Sequence, residues 1–95
     1  MADIEKQNIN RESILDGLKQ ELVYVLKINK KLGTDLNVQA DSQFTSDLGM
    51  DSLDIVEFVA RSEARFRFHV KDSDFETMRN LNEICDFVCE KLDIN

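Results

Sequence analysis

Asp51-Ser-Leu-Asp-Ile-Val-Glu-Phe-Val-Ala-Arg-Ser-Glu-Ala-Arg-Phe66 is the stretch that decides the fold. Ile55, Phe58, Val59, Ser62 and Phe66 recur at i, i+3, i+4, i+7 and i+11, which is the spacing of one helix face, and Asp51 precedes them as an N-cap. The pattern predicts a helix over 52–66 with those five residues turned inward. Ser62 is the one polar member, and its hydroxyl can bond back to a carbonyl one turn earlier. Upstream, Ile14, Leu18, Leu22, Val25 and Leu26 form a second stripe and predict a helix over about 12–31. Lys27, Lys30 and Lys31 suit the negative end of its dipole, and Gly33 follows as a stop. Gly17 inside it costs about 1 kcal/mol relative to alanine, and reads either as simple tolerance, the first reading, or as the site of a close packing contact. Downstream, Leu81, Ile84, Cys85, Val88 and Leu92 predict a last helix, opened by Asn80 and Glu83 at capping-box spacing.

The connections are polar. From 34 to 50, single apolar residues Leu36, Val38, Phe44 and Leu48 punctuate Asp, Asn, Gln, Ser and Thr, as expected of a long loop pinned onto a core. Phe68 and Val70 alternate with polar neighbours too briefly for a sheet, and a short helical turn is expected around 74–78. The fold class is therefore all-α, a small bundle of three to four helices with a long ordered loop between the first and second.

Ninety-five residues, 42% apolar and 33% charged, make one domain over 11–95 preceded by a polar arm over 1–10. A chain this short has little room for a large buried active site. Nineteen acids against twelve bases give net charge -7, which opposes binding to nucleic acid or anionic lipid. The acidity belongs to residues 35–95, which hold fourteen acids and six bases; residues 1–34 hold five acids and six bases. Charged partners should be basic proteins. No signal-like or membrane-spanning apolar run is present, and Cys85 and Cys89 read as free thiols on one helix, so a cytoplasmic monomer without metal is expected.

Chemistry concentrates between Phe44 and Phe58. Five acids and no base lie from Asp41 to Glu57, around Ser52 at a loop-to-helix junction, with Gly49 expected to permit a close approach. Nearby carboxylates disfavour an oxyanion on that serine, and His69 is the single imidazole. Ser52 is placed to be modified by another protein rather than to catalyse. Leu53, Val56, Glu57 and Ala60 lie away from the inward stripe, with Asp54 beside them, and form a candidate docking face.

Asp51-Ser52-Leu53-Asp54, preceded by Leu48-Gly49 and followed by Val56-Glu57, resembles the phosphopantetheine attachment motif of discrete acyl carrier proteins. The resemblance runs from about 44 to 92, with Glu63, Phe66, Val70, Asp72 and Asp74 at family-like spacing; 11–43 agree in outline. It implies a non-enzymatic carrier. A phosphopantetheinyl transferase would attach 4'-phosphopantetheine from coenzyme A to Ser52, and the thiol would carry acyl groups as thioesters between enzymes of fatty-acid biosynthesis. Basic surfaces of those enzymes would meet Asp47, Asp51, Leu53, Asp54, Val56, Glu57, Ala60 and Glu63. Ile55, Phe58, Val59, Ser62 and Phe66 would line an acyl cavity.

The chain departs from the family pattern at several positions. Arg61, Arg65 and Arg67 make the later part of the second helix positive where fatty-acid carriers are acidic. Ser62 replaces a bulky aliphatic residue, Ala60 an exposed methionine, and Lys71 a frequent proline. A specialised carrier for a polyketide, modified-lipid or amino-acyl pathway is the alternative. A calcium-binding loop fails on spacing: counted from Asp47, position 12 is Phe58 rather than glutamate, though looser binding of divalent cations by these acids stays open.

Overall fold

The computed structural model describes residues 10–29 and 38–94. Among these residues four helices follow in order: α1 (Arg11–Ile28), α2 (Ser52–Phe66), the single turn α3 (Asp72–Phe75) and α4 (Leu81–Lys91). Among the described residues there is no strand. Helix α1 is the central element and packs against both α2 and α4. Its start is set by a capping box: the Asn10 side chain accepts from Ser13 N, while Asn10 N donates to Ser13 Oγ. That reciprocal pair makes Asn10 the N-cap of α1. The helix ends at Ile28, earlier than the expected 31; Lys30, Lys31 and Gly33 lie outside the described residues, as do 1–9.

Helix α2 has the expected bounds and Asp51 cap, and ends on Arg67 in the left-handed region at φ 58°. Helix α4 is capped by Asn80, whose side chain accepts from Glu83 N. The Glu83 carboxylate accepts from Arg79 N instead of Asn80 N, so the box is shifted by one residue. The short turn α3 falls earlier than the expected 74–78 because Asp74 N and Phe75 N both bond to Lys71 O.

The core gathers the three stripes: Ile14, Leu18, Leu22 and Val25 from α1, Phe58 and Ser62 from α2, and Leu81, Ile84, Cys85 and Val88 from α4. The loop before α2 is pinned at Val38 and Phe44 as expected, with Met50 as a further anchor; Leu36 lies outside the described residues. Its backbone is tied to the α3–α4 connection through Phe44 N to Arg79 O at 2.8 Å and to the first turn of α4 through Asn82 N to Ala40 O at 3.0 Å. Phe44 also meets Phe58 edge-to-face at 5.5 Å. The loop therefore delivers Asp51 and Ser52 from a fixed point on the core.

Candidate functional site

Ser52 is the first residue of α2 and is exposed. Its neighbours position it. Met50 is buried and its N–H bonds to Phe44 O at 2.9 Å, while Gly49 turns the chain at φ 67°. A methyl group on Gly49 would meet nothing within 4 Å, so this glycine serves the backbone conformation and not the close approach its place in the sequence suggested. Asp51 and Asp54 then cap each other: Asp51 Oδ1 accepts from Asp54 N and Asp54 Oδ2 from Asp51 N, both at 3.0 Å. The Ser52 hydroxyl makes no hydrogen bond to any described residue. A helix N-terminus beside it carries partial positive charge, which suits an attached phosphate ester despite the surrounding acids.

The expected docking residues divide. Asp47, Asp51, Leu53, Val56 and Ala60 are surface residues, and Leu53 and Val56 are 78% and 52% exposed, conspicuous for aliphatic side chains. Glu57 is half-buried and accepts from Asn29 Nδ2 at 3.4 Å. Asp54 differs from expectation: it is 3% exposed and also accepts from Asn29 Nδ2, so it joins the end of α1 to the start of α2 instead of facing a partner. Glu63 is likewise taken up locally. Its carboxylate accepts from Val70 N at 2.8 Å and lies 3.4 Å from His69 Nδ1, bracing the turn after α2.

The expected cavity residues also divide. Phe58, Val59 and Ser62 are buried in the core, and Ser62 Oγ donates to Phe58 O at 2.9 Å, the backbone bond available to an inward serine. Ile55 borders a cavity of about 370 Å³ floored by Phe44, Phe75 and Met78 and rimmed by Thr45, Ser46 and Arg79. Phe66 is directed elsewhere, against α1 at Gly17.

The arginines of α2 were unexplained by sequence and are explained by α1. Arg61 Nε donates to Glu21 Oε1 at 2.8 Å and Arg65 Nη1 to Glu21 Oε2 at 2.9 Å, while Arg65 also reaches Gln20 Oε1 and Gly17 O. Burial pushes the Glu21 carboxyl up, but the hydrogen bonds and charges of Arg65 and Arg61 outweigh it and hold it below its ordinary value. Sequence reasoning missed this clamp because the partners lie 40 or more residues apart.

With the exposed serine, its cap and its acidic surroundings established, comparison with known proteins is decisive. A family profile described as a phosphopantetheine attachment site matches residues 24–88. The chain belongs to the acyl carrier protein family. This carrier is 36% identical over 84 residues to the acyl carrier protein of Cyanidium caldarium, covering 88% of this chain and 92% of that one. It is 31% identical over 77 residues to that of Chloroherpeton thalassium, covering 81% and 95%. It is 30% identical over 83 residues to the mitochondrial acyl carrier protein of Saccharomyces cerevisiae, covering 84% and 66%. The carrier holds 4'-phosphopantetheine, a group whose thiol carries acyl chains as thioesters, and works with acyl-handling enzymes. No helix among its described residues is long and apolar enough to cross a membrane.

Proposed function

We propose that Ser52 is the attachment residue and that the chain is a non-catalytic acyl shuttle of a discrete fatty-acid-synthesising system in a reducing compartment such as the cytoplasm. The observation that carries the reading is the exposed Ser52 hydroxyl at the first position of α2, unengaged by any described residue and positioned by Asp51, Asp54 and the buried Met50. A phosphopantetheinyl transferase meets that serine through Asp47, Asp51, Leu53, Val56, Glu57 and Ala60, by weak charge-steered contact. At about 1.5 Å of rise per residue, roughly 16 Å of α2 separate Ser52 from Glu63, beside which His69 Nδ1 lies at 3.4 Å, so Ser52 and His69 do not meet as a catalytic pair. That separation supports a carrier rather than an enzyme.

Ile55 sits one turn beyond Ser52 and opens on the Phe44–Phe75–Met78 cavity, which supports an entry for acyl chains there. Phe58, Val59 and Ser62 would then form the closed wall behind it. Co-expression with a phosphopantetheinyl transferase is expected to add one prosthetic group by intact mass, and Ser52→Ala to remove the gain. Unmodified wild-type protein, or modification surviving in Ser52→Ala, overturns the assignment.

A further inference from the structure

We infer that the outer face of the α1–α2 pair is a docking surface of mixed sign, fitted to an acyl-handling enzyme with basic groups opposite the Ser52 end and acidic groups opposite Arg61 and Arg65. The inference rests on the carrier reading and adds to it the charge pattern the cognate enzyme must present. Four large apolar residues are exposed among those described: Tyr24, Ile28, Leu53 and Val56. Tyr24 and Ile28 are one turn apart on α1. They flank the seam where Asn29 meets Glu57 and where the Arg61 guanidinium lies 3.9 Å above the Tyr24 ring. Helical spacing places Leu53 and Ala60 on the α2 shoulder beside that seam, with Val56 further round the same helix. Apolar contact area therefore extends from the Ser52 end of α2 onto α1.

Charge along this surface reverses. Asp47, Asp51 and Glu57 make the Ser52 end negative. One to two turns on, the two guanidinium groups of Arg61 and Arg65 share the single carboxylate of Glu21, whose side chain is 13% exposed, while theirs are 40% and 38% exposed. The half-buried acid neutralises one charge, and a positive balance faces solvent. An enzyme surface that is basic throughout matches the first end and is repelled by the second, whereas one carrying acids at the far end matches both.

The test titrates the carrier, without its prosthetic group, with an acyl-transferring enzyme whose carrier-binding surface is basic throughout. Glu21→Gln enlarges the positive balance and is expected to weaken binding about threefold or more; Glu21→Gln/Arg61→Gln/Arg65→Gln removes the positive charge while keeping similar side-chain volumes, and tightens it by a similar factor. Both differences should vanish in high salt. An enzyme variant with acids introduced at the far end of its site should reverse the order. Helical circular dichroism of each variant confirms the fold. Affinities within twofold of wild type for both variants, or tightening by Glu21→Gln, overturn the mixed-sign surface. Intact mass after transferase treatment reads the Ser52 assignment separately, so the two failures are distinguishable.

Discussion

Asp54 and Glu57 are both carboxylates on the first turns of α2, and their surroundings give them different work. Asp54 is buried with its oxygens facing Asp51 N and Asn29 Nδ2; Glu57 is half-buried and holds Asn29 only at 3.4 Å. Removing a buried acceptor strands its donors, so Asp54→Ala is expected to lower unfolding free energy by about 1–3 kcal/mol in urea titration. Glu57→Ala should stay within about 0.5 kcal/mol and act on transferase KM instead. The helix start at Ser52 and its Asp51 cap were legible in sequence because caps are local, spanning three residues. The division of labour between the two acids was not, since it depends on where Asn29 at the end of α1 arrives.

At the scale of elements, the α1–α2 seam is the feature that periodicity alone understated. A methyl group on Gly17 would lie 2.5 Å from Phe66 Cζ and 3.3 Å from the Arg65 guanidinium, so Phe66 seats directly on the α1 backbone. Alanine would gain about 1 kcal/mol of helix propensity but force the ring aside, and overpacking typically costs about 1–3 kcal/mol. Gly17→Ala is therefore expected to be net destabilising in urea, and restoring room with Gly17→Ala/Phe66→Leu should recover part of the loss. The same seam carries a pH signature. Glu21 titrates below its ordinary value near 4.5 in the folded protein, so its pairing contributes fully above that value and is lost as pH falls through the depressed folded value. The stability gap between wild type and Glu21→Gln should be widest at neutral pH and narrow below about pH 4. Helix existence and the inward stripes were readable from spacing within each segment. The register of one helix on another was not, because Gly17 with Phe66 and Glu21 with Arg61 pair across a loop whose path no local pattern specifies.

For the whole molecule, the three stripes close over both native thiols. Cys85 is fully buried on α4 and Cys89 is 6% exposed, and burial, reinforced by Cys89, pushes the Cys85 thiol up to about 11. Nucleophilic attack requires a thiolate with access to reagent, and Cys85 lacks both conditions in the folded state. The small core that left no room for a large active site thus serves to keep the chain's own sulfur out of reach, while Ser52 stands outside on the first turn of α2. Titration of the native protein with a disulfide reagent at mildly alkaline pH is expected to show no fast-reacting thiol before phosphopantetheine attachment and one afterwards, with two more appearing on denaturation. A fast thiol in the unmodified native protein would mean that α4 opens readily against α1, and would remove the separation between carried thiol and core on which clean acyl loading depends.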